Sequence, residues 1–486
     1  MIAATPIHVL SVVSEIFPFV KTGGLADVAG ALPAALAPEN VRTVTLIPGY
    51  PDVMAALRDA SPILAVDDLF GGPGRLLHGR AKNLELIVID APHLYDRPGN
   101  PYMAADGRDW PDNAIRFGAL GLMAARLGAG EVPAFRPDVL HAHDWQAGLS
   151  AAYLRYRFER RPRTVMTVHN LAFQGLFPAS LLSALALPPA AFSINGVEFH
   201  GEIGFLKAGL ALSDWITTVS PTYAAEIRTR EFGMGLDGLL RGRTERLSGI
   251  LNGIDDTVWN PGRDPLIAAN FDARRIAPRI ANKAVLKRRM GLATDDALLF
   301  GVVSRLTWQK GLDMLVEVLP TLLATGSQLV VLGSGERNLQ QAFMDAARIH
   351  PGRVACVIGY DEELAHLIQA GADALLMPSR YEPCGLSQMC ALRYGTVPVV
   401  SHVGGLADTV IDCNDMAIAE GVGTGIQFRP TIGMLEAAVL RATALWRNGK
   451  VWRRVQRNAM RADVSWRRSA RRYATLYRTL MAERRK

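Results

Sequence analysis

The chain has 486 residues, 49% hydrophobic and 20% charged, a globular composition too long for one ordinary core, so two domains of roughly 200–250 residues each are expected. The net charge of +7 does not indicate nucleic-acid binding: residues 446–486 hold 14 Lys/Arg against 2 Asp/Glu, the remainder carries −5, and a basic stretch confined to one terminus reads as a solvated helix face. No apolar run approaches the ~20 residues of a membrane span, no leader segment is recognisable, and Cys356, Cys384, Cys390 and Cys413 make no C-x-x-C pair, so a reduced, cytoplasmic protein with no membrane or nucleic-acid partner is expected.

Short β-branched runs alternate with helical stretches along the chain. Strands are predicted at residues 7–13, 41–47, 84–89, 139–141, 164–168 and 216–219 in the first half. In the second half they fall at 298–303, 328–332, 354–357, 374–377 and 397–400. Apolar runs without polar alternation suit parallel strands covered on both faces. Their alternation with helices predicts βαβ units and two doubly wound sheets. The run 250–255 (ILNGID) reads as a crossing between halves, and a Lys/Arg-rich helix over 283–290 leads into the second sheet. Residues 1–248 are therefore assigned to a first domain and 249–464 to a second. In the tail 465–486, Trp466, Ala470, Tyr473, Leu476, Tyr477 and Leu480 recur at helical spacing, with arginines mostly opposite. That pattern predicts a docked amphipathic helix.

Open α/β sheets bind ligands beyond the carboxyl ends of their strands. Polar residues collect there in both halves. Ser14, Glu15, Lys21, Gly23 and Gly24 follow the first strand. His141, His143 and Asp144 end another, and His169 and Asn170 a third. In the second half the strand ends lead to Arg305 and Lys310, to Tyr360, and to the loop 378–386. Two such sheets facing one another predict a polar cleft. The run GGLAD at 23–27 recurs at 404–408, each copy after a strand and before a predicted helix. A glycine pair there either admits an anion to backbone amides or makes a tight turn.

His141, His143 and Asp144 also have metal-ligand character. No further His/Asp/Cys cluster has ligand spacing, no Asp-x-Asp pair occurs, and the glycine-rich loops would be left unexplained, so no metal is expected. Cys384 with His169 is conceivable as a thiol and base, but a loop cysteine packed beside a ligand is the simpler reading. No G-x-G-x-x-G follows the first strand, which argues against a dinucleotide oxidoreductase.

Six segments resemble the bacterial glycogen synthase and starch synthase family, retaining glucosyltransferases of the GT-B fold. They are 14–28 (SEIFPFVKTGGLADV), 141–145 (HAHDW), 167–170 (TVHN), 251–255 (LNGID), 304–311 (SRLTWQKG) and 378–386 (PSRYEPCGL). The helix at Trp466 resembles the family's C-terminal helix, which crosses back to the first domain. The resemblance implies transfer of glucose from ADP-glucose, as co-substrate and without other cofactor, to the 4-OH at a non-reducing end of an α-1,4-glucan. It implies that Lys21, Gly24, Arg305 and Lys310 hold the diphosphate with the amides of Gly385 and Leu386, and that Tyr360 stacks on the adenine. Asp144, His169, Asn170, Asn252, Glu382 and Cys384 would surround the glucosyl unit. Asp144, His169, Glu382, Arg305 and Lys310 are the implied catalytic set. Positive charge on the departing phosphate lowers the barrier directly. Two rivals stay open: a related transferase using UDP-glucose or another acceptor, and a non-catalytic glucan-binding protein.

Overall fold

The computed structural model describes residues 5–104 and 106–483. The chain divides into two compact units, Met1–Asn252 with Trp466–Lys486, and Gly253–Ser465.

The first unit contains strands β1 (Ile7–Val12), β2 (Val41–Pro48), β3 (Arg58–Val66), β4 (Gly74–Ala81), β5 (Leu84–Asp90), β6 (Val139–His143), β7 (Arg163–Val168), β8 (Leu176–Pro178), β9 (Glu198–Phe199), β10 (Glu202–Gly204), β11 (Trp215–Thr218) and β12 (Leu247–Gly249). Among the described residues, nine of them form one sheet in the order β12-β11-β7-β6-β1-β2-β5-β4-β3. The order reverses between β6 and β1, so the loops after these two strands leave a crevice at a topological switch point. β3 and β4 add an antiparallel edge on β5. Residues of β1, β6 and β7 alternate between two apolar layers: Val9, Val139 and Val165 face one, Leu10, Leu140 and Met166 the other. Burial on both faces is what a parallel sheet covered by helices requires.

One of those coverings is the helix Trp466–Glu483. It buries Trp466, Ala470, Tyr473, Ala474, Tyr477 and Leu480 against Val9, Val139, Val165 and the helix Gly24–Leu36. Arg467, Arg468, Arg471, Arg472 and Arg478 stay exposed, so the basic tail is a docked helix with a solvated face.

The second unit holds β13 (Leu299–Val303), β14 (Gln328–Gly333), β15 (Val354–Ile358), β16 (Ala374–Met377), β17 (Val397–Ser401) and β18 (Ile426–Phe428). They form a parallel sheet in the order β15-β14-β13-β16-β17-β18. Its switch point lies between β13 and β16, whose loops are 304–311 and 378–386. No described helix is long and apolar enough to cross a membrane.

Candidate active site

In the first unit, β1 runs out into buried Ser14 and Glu15. Glu15 has few ways to keep a buried carboxylate satisfied. It accepts from the Gly23 amide at 3.0 Å, from the amide and hydroxyl of Thr22, and from the Tyr102 hydroxyl. The loop 16–23 is thereby folded over it, which sets Lys21 and Gly24 at the exposed start of the helix Gly24–Leu36. Lys21 Nζ lies 2.9 Å from Asp27. Glu15 was legible only as a polar residue at a strand end; Tyr102, on a loop 87 residues away, had no sequence signal.

β6 passes directly into the helix Asp144–Arg157. Asp144 makes this turn with φ +55°, a left-handed conformation costly for a side chain with a Cβ. The turn brings its Oδ1 2.7 Å from the amide of His169, at the end of β7. Burial raises its pKa to about 7 even though the backbone amides of His169 and Asn170 favour the carboxylate. Asp144, His169 and Asn170 therefore form one group at the switch point. Burial lowers His169 to about 3, so its imidazole is neutral. Asn252, the last residue of this unit before the crossing, is buried with Oδ1 lacking a protein partner.

In the second unit the loops 304–311 and 378–386 are pinned to one another. The Arg380 amide donates to Gln309 O, and its guanidinium reaches Trp308 O and both oxygens of Asp313. Gly311 has φ +66°, and a Cβ there would stand 1.9 Å from Pro378 O. This junction buries Lys310 Nζ against Glu382 Oε2 at 2.5 Å, with Ser379 Oγ donating to the same oxygen at 2.9 Å. The pair is 72 residues apart in sequence, and Ser379 was not singled out there. Arg305 is exposed, 3.5 Å from Gln309 Oε1. Cys384 is buried; the Gln388 side chain donates to the carbonyls of Cys384 and Gly385. Gly385 has φ +72° and precedes the helix Ser387–Tyr394. Among the described residues neither the Gly385 nor the Leu386 amide donates to a protein acceptor, as at the open start of a helix. Tyr360, on the loop after β15, is exposed, and its hydroxyl bonds the Glu362 carboxylate.

The two GGLAD copies differ. Gly23 and Gly24 are exposed, and a Cβ at Gly23 meets nothing within 4 Å. Gly404 and Gly405 are buried. A Cβ at Gly404 would sit 1.9 Å from Glu382 O, and at Gly405 2.1 Å from Cys384 O, while the Gly405 amide donates to Glu382 O and Pro383 O. The second copy is a packing turn that seats the Glu382 loop, so the anion-binding reading does not extend to it. His141 and His143 belong to no metal cluster: among the described residues no group of three or more His, Cys, Asp or Glu could hold an ion.

Residues 8–242 match the starch synthase catalytic domain, and 286–441 match glycosyl transferases group 1. A glycogen synthase of Rhodopseudomonas palustris strain BisA53 is 61% identical over 99% of this chain and 98% of its own length. One from Methylocella silvestris is 62% identical over 98% of this chain and 99% of its own. The catalytic domain of starch synthase IV from Arabidopsis thaliana, solved with ADP and acarbose, superposes with a TM-score of 0.89 at 30% identity, covering 98% of this chain and all of that one. Sucrose-phosphate synthase from Thermosynechococcus elongatus, at 19% identity and TM-score 0.60, shares the fold.

Proposed function

The chain belongs to the glycogen and starch synthase family of GT-B glycosyltransferases, and from that premise we propose that it transfers glucose from ADP-glucose to the non-reducing 4-OH of an α-1,4-glucan with retention of the α configuration. The observation that carries this reading is the ion pair between Lys310, on the loop 304–311, and buried Glu382, whose own loop 378–386 also holds the unengaged Gly385 and Leu386 amides. A cation, a carboxylate and two N–H groups on one rigid junction suit a sugar diphosphate: the amides and Lys310 take the phosphates, and Glu382 takes sugar hydroxyls. The starch synthase that superposes on the chain was solved with ADP and acarbose, a nucleotide and a glucan-like ligand.

In the second unit Arg305 and Lys310 meet the departing diphosphate, and Tyr360 offers its exposed ring to the adenine. In the first unit the resemblance assigns substrate contacts to Lys21, beside the helix start at Gly24, and to Asp144, His169, Asn170 and Asn252. Cys384 packs beside the ligand. No cofactor beyond the co-substrate is called for. Developing phosphate charge is stabilised by these cations, and the leaving phosphate takes the acceptor proton on the same face; this same-face route is favoured because Glu382 is engaged by Lys310 and Ser379 and Asp144 by the His169 amide. A glucosyl adduct trapped on either carboxylate would overturn that last step.

The test is nucleoside diphosphate release with glycogen as acceptor and ADP-glucose or UDP-glucose as donor. ADP release with a marked preference for ADP-glucose is expected. Turnover with UDP-glucose alone moves the chain to a related transferase, and none with either donor leaves a binding protein. Arg305→Ala should lower kcat/KM by roughly 100-fold, the scale of one lost charge-stabilising donor; an unchanged rate removes Arg305 from the set.

A further inference from the structure

His143 is buried beside Asp144, and the reaction outlined above gives it no task. Its Nδ1 lies 3.0 Å from His169 Nε2, and its own Nε2 is buried without a hydrogen-bond partner. Its ring stacks on His141 at 4.1 Å between centroids. His141 is itself clamped at both nitrogens, by Tyr477 Oη at 2.8 Å and by Thr167 Oγ1 at 2.5 Å. The stack fixes the plane of His143 and hence the nitrogen that meets His169.

Those contacts decide where the protons are. One of the two facing nitrogens must donate. If His143 carried its proton on Nε2, a buried N–H would be orphaned, and orphaned buried donors are rarer and costlier than unused lone pairs. The proton of His143 therefore sits on Nδ1 and is donated to His169 Nε2. Burial holds both rings neutral, so His169 accepts at Nε2 and carries its single proton on Nδ1. No described residue accepts from that Nδ1.

We propose that His143 is a positioning residue that locks His169 in its Nδ1–H tautomer, so that His169 presents a hydrogen-bond donor to the glucosyl unit. The inference rests on the reading of His169 as a sugar-site residue. It predicts that His169 pairs with an acceptor oxygen of the sugar, and that a sugar lacking that oxygen loses the benefit.

The experiment uses the full-length protein labelled with ¹⁵N-histidine, with His169 signals assigned by their loss in His169→Ala. The expected spectrum has a protonated Nδ1 and an unprotonated Nε2 for His169. His143→Asn, whose amide N–H overlays the imidazole Nδ1–H, should keep that pattern and hold kcat within about threefold of the parent. His143→Leu, which fills similar space without a donor, should give mixed tautomers and lower kcat about tenfold or more, with the KM for ADP-glucose little changed. An Nε2-protonated His169 in the parent overturns the proposal, as does equal activity of the Asn and Leu variants when both keep the parent's melting temperature. If His169→Ala retains full activity, the sugar-site reading fails, while the spectrum still decides the tautomer.

Discussion

Two titratable side chains have raised pKa values for different reasons and with opposite effects on stability. Asp144 is held at a raised pKa of about 7 by desolvation, above the ~3.9 of an unfolded aspartate. Its ionisation opposes folding: the cost is absent below pH ~4 and grows until the pH passes the folded value. Asp144→Asn keeps an acceptor for the His169 amide and removes the charge. We expect its melting temperature to exceed the parent's at pH 8 and to match it near pH 4, while turnover falls; a variant less stable at pH 8 than at pH 4, relative to the parent, would contradict this. His366, in the second unit, has the reverse sign. Burial alone would lower its pKa, but the hydrogen bond from Nδ1 to Asp264 at 2.7 Å, with Glu362 nearby, raises it to about 9. Tyr394 donates to the same Asp264 oxygen, and Trp259 stacks on the imidazole at 3.9 Å. A base raised above its unfolded ~6.5 stabilises fully below that pH and loses the contribution as pH rises through 9, on the order of 3 kcal/mol. His366→Asn should therefore flatten the decline in stability between pH 6.5 and 9, measured by urea titration at each pH.

The two glycine pairs show how one run of residues serves different elements. At Gly23 the backbone is extended, with φ −150° and open space where a Cβ would go. At Gly404 φ is +41°, and the Cβ position is filled by the Glu382 carbonyl. Gly23→Ala should cost less than about 0.5 kcal/mol of stability. Gly404→Ala should cost about 2–4 kcal/mol and move the Glu382 loop, so donor KM rises with the fall in stability. Equal melting temperatures for the two variants would sink the distinction. The sequence repeat could not separate these cases, because what differs is the loop packed on each pair. The same limit runs through the elements. The core of every parallel strand of four or more residues was legible, since runs such as LELIVID in β5 are apolar on both faces. The edge strands β3 and β4 were missed because β3 is largely exposed and carries Pro62, leaving no apolar run to read. The three-residue strands β12 and β18 and the small sheet β8-β10-β9 were too short to register. Lys310, Glu382, Asp144 and His169 were legible as polar residues at strand ends. Their contacts, and the parts of Glu15, Tyr102 and Ser379, depend on loops brought together across many residues of chain.

At the scale of the whole molecule, the second unit is an insertion in the first. Its ends meet: the Ile254 amide donates to Val464 O at 2.9 Å, and Ile254 pairs with Ser465. A segment whose termini are adjacent and whose sheet is complete has what it needs to fold alone. The first unit has no such independence. Its sheet face at Val9, Val139 and Val165 is covered by Trp466, Tyr473, Leu476, Tyr477 and Leu480 from the far end of the chain. Burying each large apolar side chain contributes about 1.5–3 kcal/mol, so the helix supplies on the order of 10 kcal/mol, comparable to the entire net stability of a domain. We therefore expect residues 253–465 expressed alone to unfold cooperatively in calorimetry, and residues 1–252 alone to lack a cooperative transition. Adding a peptide of residues 466–486 to the 1–252 fragment should restore the transition, because the helix binds only the folded sheet and draws the equilibrium toward it. A stable 1–252 fragment without the peptide would show that the helix merely decorates the fold. Restoration with a Trp466→Ala, Tyr477→Ala peptide would show that the apolar stripe is not what closes it.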